Sequence, residues 1–83
     1  MQIINIKGFT MTNDLQLLDT PVKLDLVGKD GNAFALLGLF RAYGRRQGIR
    51  QEQLDKVIEL AMSSDYDHLL QVLIANTEPE DED

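Results

Sequence analysis

The sequence predicts a small α+β domain: one or two short strands followed by three helices packed in a single unit. Three observations carry this. Val22-Lys23-Leu24-Asp25-Leu26 alternates apolar and polar residues, the period of a half-buried strand. Three later segments show helical spacing of apolar residues with recognisable start and stop signals. The chain has 83 residues and no Cys, so one modest core must form from side-chain packing alone.

The elements follow in chain order. Gln2 to Phe9 carries Ile3, Ile4 and Ile6, which suits a first strand. Thr10 to Pro21 has no clear period and contains Asn13, Asp14, Asp19, Thr20 and Pro21, so it reads as a loop. Val22–Leu26 is the second strand. About a dozen residues separate the two, too many for a tight hairpin, so they pair through a long connection or the first pairs with another copy.

Asn32 is a good N-cap after the turn residue Gly31, and the first helix runs from Ala33 to Gln47 with Gly48 as its stop. Its first half, Ala33 to Phe40, has no polar residue on any face. Such a helix is buried, or one face is covered by a partner. Gly38 costs that helix about 0.5–1 kcal/mol against Ala, which suggests that another element approaches closely there. The second helix spans Gln51 to Met62. Leu54, Val57, Ile58 and Ala61 form its core stripe, and Glu52, Asp55, Lys56 and Glu59 lie opposite. The third starts at Asp65 with Ser64 as N-cap and Asp67 three residues on. Its apolar residues, Tyr66, Leu69, Leu70, Val72, Leu73 and Ile74, cover an arc of roughly 200° at about 100° per residue, wider than a surface helix needs. Residues 1–76 thus read as one domain, with 1–10 as an extension, and 77–83 as a disordered acidic tail.

The net charge is −6, unevenly spread. Residues 1–48 hold six Lys/Arg against four acids; residues 49–83 hold two against ten. This balance disfavours nucleic acid, because phosphate contacts need a positive footprint. No stretch approaches the roughly 20 apolar residues that cross a bilayer, and the N-terminus lacks the pattern of a secretory signal. The expectation is a cytoplasmic protein with no membrane attachment.

Chemical equipment is sparse. Gly28-Lys29-Asp30-Gly31 ends a strand and opens a helix, so it reads as a turn. It also resembles the glycine loop of the KH family of nucleic-acid-binding domains, with Gly28, Lys29 and Gly31 at the matching positions. That family needs a helix before the loop, and Asp30 sets a negative charge where phosphates would lie. No Gly-Lys-Ser/Thr ending exists, so the run is not a phosphate-binding P-loop. Arg41, Arg45, Arg46 and Arg50 gather at the end of the first helix, where cations suit the helix dipole and can pair with Glu52 or Asp55. Read functionally, they are a surface for an anion or an acidic partner. His68 is the sole His, with no sulfur or second nitrogen ligand to make a metal site. No nucleophile–base pair stands out, so neither a catalytic residue nor a cofactor is expected. The acidic tail is read as solvating, with mimicry of a phosphate backbone as the alternative.

Val27-Gly28-x-Asp30-Gly31-Asn32-Ala33-Phe34 and Asp65-Tyr66-Asp67-His68-Leu69-Leu70 together resemble a family of small uncharacterised proteins encoded by bacteria and their phages and plasmids. The resemblance covers about Val22 to Ile74. It implies a bacterial or mobile-element origin and carries no activity. Members tend to place Ser or Thr before the second helix, where this chain has Arg50, a lost cap of about 1 kcal/mol. The functional expectation is a non-enzymatic protein-binding or regulatory protein. Tyr66, Leu70 and Ile74 on the third helix, and the strand Ile3–Ile6, are its candidate contact surfaces, self-association included.

Overall fold

The computed structural model describes residues 15–26, 28 and 31–79. The elements are β1 (Val22–Lys23), α1 (Ala33–Gln47), α2 (Gln51–Ala61), α3 (Tyr66–Ala75) and β2 (Thr77–Glu78). Over the described residues the architecture is the expected small α+β domain with three helices. The strands form a two-stranded parallel sheet in which Val22 faces Thr77 and Lys23 faces Glu78. Parallel strands cannot be joined by a hairpin, and here the three helices make the crossover.

The sheet gives Val22 a strand partner after the helices; the Ile3–Ile6 segment, and with it the expected pairing of the first strand, lies outside the described residues. One expectation is corrected. Thr77 and Glu78 belong to the sheet and not to a tail. The Val22 and Leu24 N–H groups donate to the Asn76 and Glu78 carbonyls, both at 2.9 Å. Lys23 and Glu78 add an ion pair of 3.3 Å. Composition marks Glu78 as the start of an acidic run, but backbone pairing is blind to that charge. The strand is also shorter than Val22–Leu26, although Leu24 still donates into the ladder. Gln47 covers the outer edge of β1: its side chain accepts from the Lys23 N–H and donates to the Pro21 carbonyl, each at 2.9 Å. An amide side chain thus stands in for a third strand.

The core draws on β1 with its flanking residues and on all three helices. Leu18, Val22 and Leu24 pack with Leu36, Leu37 and Phe40 of α1, Leu54, Val57 and Ala61 of α2, and Leu69, Val72 and Leu73 of α3. The α1 boundaries are as expected: the Asn32 side chain accepts from the Phe34 and Ala35 N–H groups, and Gly48 ends the helix at φ 97°. The left-handed turn at Gly48 is open to glycine at little cost.

Two helix details differ. α3 is capped by Asp65, whose carboxylate accepts from the His68 N–H at 3.0 Å, so the helix begins one residue later than Ser64 capping implies. An Asp three residues before an N–H that needs a partner outcompetes the Ser ahead of it. α2 ends at Ala61, with Met62 as its C-cap, and its N-cap Arg50 makes no side-chain capping bond.

The close approach expected at Gly38 occurs instead at Gly44. A Cβ at Gly38 would meet nothing within 4 Å, whereas one at Gly44 would lie 2.5 Å from Leu54 Cδ2. Gly44 sits on the buried stripe of α1 with Leu36, Leu37 and Phe40, and Gly38 faces solvent. The missing side chain lets α2 drop onto α1.

Candidate functional site

α1 is not buried all round. Phe34, at its second position, is 77% exposed. The stripe of Leu36, Leu37, Phe40 and Gly44 fixes which side faces the core, and Phe34 lies about 100° from its centre at about 100° per residue. The ring therefore projects beside the core and not into it.

Phe34 stands at the lip of a shallow groove of about 240 Å³ between the start of α1 and the α2–α3 turn. Ala33, Leu37, Met62, Ser64, Asp65, Tyr66 and Leu69 complete its lining. Met62 and Tyr66 are also exposed, and Leu37 and Leu69 form the buried floor. Two stretches of the sequence, Gly31–Phe34 and Asp65–Leu70, meet here. The Tyr66 hydroxyl donates to the Gly31 carbonyl across 35 residues of sequence, tying the turn before α1 to the start of α3. His68 holds the other wall. Its Nε2 lies 2.9 Å from the Leu60 carbonyl oxygen, which only accepts, so this nitrogen donates and ties the end of α2 to α3. The Ser63 hydroxyl donates to the same carbonyl at 2.7 Å.

Most of these motif residues have a structural task. Asn32 and Asp65 cap helices, Gly31 meets Tyr66, and Leu69 is core. The Phe34 ring, 77% exposed, has no such task among the described residues. Burying such a side chain stabilises by roughly 1.5–3 kcal/mol, a gain not realised among the described residues.

The proposed contact residues of α3 divide between two places. Tyr66 lines the groove; Leu70 is partly buried against the core. Ile74, 61% exposed, lies two turns away beside Leu15, Leu24, Leu26 and Pro79. The three do not form one surface. Leu37 reads in the sequence as part of an apolar helix, and Met62 as the last residue of the second helix, so neither is marked as a site residue by its local pattern.

The nucleic-acid candidates are not assembled as a KH site. Among the described residues no helix leads into Gly28: residues 24–26 are without helical structure. Gly28 has φ 83°, the left-handed conformation that selects glycine, with nothing near its Cβ position. Gly31 is held by Tyr66, and Lys29 lies outside the described residues. The arginines are engaged within the chain. Arg41 pairs with Asp55 at 3.0 Å and Arg50 with Glu52 at 3.1 Å. Arg45 donates to Gln51 at 2.7 Å. The Arg46 guanidinium stands 5.4 Å from the centre of the Tyr43 ring. Exposed pairs of this kind are worth at most about 1 kcal/mol, but they halve the positive charge the face offers a phosphate.

Among the described residues no cluster of three or more His, Cys, Asp or Glu could hold a metal, and no helix is long and apolar enough to cross a membrane. No family model, curated protein or solved structure matches the chain. Its class therefore rests on the fold and the groove: a three-helix α+β domain presenting an apolar cleft.

Proposed function

We propose that the chain is a non-enzymatic protein-binding domain acting through the Phe34–Met62–Tyr66 groove, with a regulatory role in a bacterial or mobile-element process. The observation that carries this reading is Phe34: a large apolar ring, on a backbone held by the Asn32 cap, exposed beside two more exposed apolar side chains, Met62 and Tyr66. The groove is smaller than the roughly 300–1,000 Å³ of small-molecule sites. Its size suits one or two anchoring side chains of a protein partner. The absence of Cys fits the cytoplasm, the compartment this reading assigns.

The test is capture from nuclease-treated lysate of the native host, with wild-type and Phe34→Ser baits side by side at low and high salt. A partner retained at both salts by wild type and lost from the variant is the expected result, because apolar contacts resist screening. Equal retention by Phe34→Ser sinks the groove as the site. Nucleic acid recovered without nuclease and lost at high salt replaces this function with phosphate binding through the Arg face.

A further inference from the structure

We infer that residues 3–9 of this chain add a third strand to the outer edge of β2 and close over Ile74, a surface separate from the Phe34 groove. Ile74 is 61% exposed, second only to Phe34 among the large apolar side chains described. It stands between two open clefts. One, of about 210 Å³, runs beside Leu24, Leu26, Thr77 and Pro79. The other, of about 180 Å³, runs beside Leu15, Gln71 and Ala75. This strip lies along a sheet edge. The Val22 and Leu24 N–H groups donate to the Asn76 and Glu78 carbonyls, so the alternation of a ladder turns the Thr77 N–H and carbonyl to the other side. The sheet has two strands, and among the described residues no strand meets that side.

Composition and place choose the occupant. Two terminal stretches lie outside the described residues. Residues 80–83 are all acidic and bring nothing apolar. Residues 1–14 bring Ile3, Ile4, Ile6 and Phe9, and they join the described chain at this strip. Leu15 lines one of the two clefts, and its carbonyl accepts from the Asn76 side chain at 2.9 Å, one residue before β2. β2 runs away from Asn76, while a strand that feeds Leu15 through a short link ends beside Asn76. The added strand is therefore antiparallel to β2. Residues 10–14 make the link, a common length between neighbouring elements. At the strand period Ile4 and Ile6 share one face, with Ile3, Asn5, Lys7 and Phe9 on the other. The Ile4–Ile6 face carries no charge, so it is the one that covers Ile74.

NMR on the full chain, labelled with 13C and 15N, tests this. The expected result is a set of nuclear Overhauser contacts between the Ile74 methyls and those of Ile4 or Ile6. The Thr77 amide should also exchange about tenfold more slowly than in the double variant Ile4→Asp/Ile6→Asp, the worth of one backbone hydrogen bond. The Val22 amide, bonded to Asn76, should exchange alike in both, which separates loss of the third strand from loss of the fold. If the double variant does not fold, the methyl contacts of the wild-type chain decide alone. Their absence overturns the proposal. Contacts seen only between labelled and unlabelled copies in a mixed sample overturn it in favour of a strand exchanged with a second copy. Methyl contacts with equal Thr77 exchange in wild type and folded variant overturn the strand, leaving a segment packed on Ile74 without backbone pairing.

Discussion

The two ends of α3 solve opposite problems. At its C-terminal end a polar side chain is fully buried and fully satisfied. Asn76 accepts from the Leu17 and Leu18 N–H groups at 2.8 and 3.0 Å and donates to the Leu15 and Val72 carbonyls at 2.9 and 2.8 Å. Its own carbonyl accepts from Val22. One residue thus pins the 15–18 segment, the end of α3 and the start of β1 together. At the N-terminal end the polar groups are spent on caps and the apolar ones, Phe34, Met62 and Tyr66, stay in water. The closed end shows that this chain completes a surface where stability alone is at stake. Among the described residues nothing completes the open end.

The largest expected effect comes from breaking the closed end. Asn76→Ala strands two carbonyls and two N–H groups, some out of reach of water, and should lower stability by about 3 kcal/mol. Asn76→Asp keeps the volume but removes both donors and buries a charge, and should be at least as harmful. Urea unfolding monitored by circular dichroism reads both. A loss within about 0.5 kcal/mol for either would mean the 15–18 segment is held by Leu18 packing and not by the Asn76 bonds.

Next comes a pair of glycines on the same helix. Gly44→Ala gains about 1 kcal/mol of helix propensity, but its Cβ would press on Leu54 at Cδ2, Cδ1 and Cγ, with Leu54 wholly buried. Overpacking costs about 1–3 kcal/mol, so a net loss of about 1 kcal/mol is expected. Gly38→Ala meets nothing and should stabilise by about 0.5–1 kcal/mol. Opposite signs for one substitution on one helix, seen in the same unfolding experiment, locate the α1–α2 contact.

These sites also show what the sequence made legible. The α1 boundaries, the α2 core stripe and the α+β class follow from local signals: caps, periodicity, a positive-φ glycine. Thr77–Glu78 as a strand, Asn76 as a buried hub and Gln47 as an edge cover depend on partners from 24 to 61 residues away in sequence. Each looks locally like an ordinary tail, helix-end or surface residue. The glycine error has the same cause: Gly38 and Gly44 differ only in which side of α1 faces Leu54. For the candidate site, the sequence sets Tyr66 and Ile74 on one apolar arc of α3, and an arc on one helix does not reveal that its two ends border different clefts.

The smallest expected change in stability tests the open end most sharply. Phe34→Ser removes a ring that is 77% exposed and borders no core residue except through the groove floor. Ser at the second position of α1 is an acceptable first-turn residue, and the Asn32 cap acts through backbone N–H groups that the substitution leaves in place. Stability should stay within about 0.5 kcal/mol of wild type, and solubility at high concentration should rise as an exposed apolar patch shrinks. A loss above about 1.5 kcal/mol would show that the ring is buried in the folded molecule. The contrast between the two ends of α3 would then vanish, because both would be closed by the chain itself.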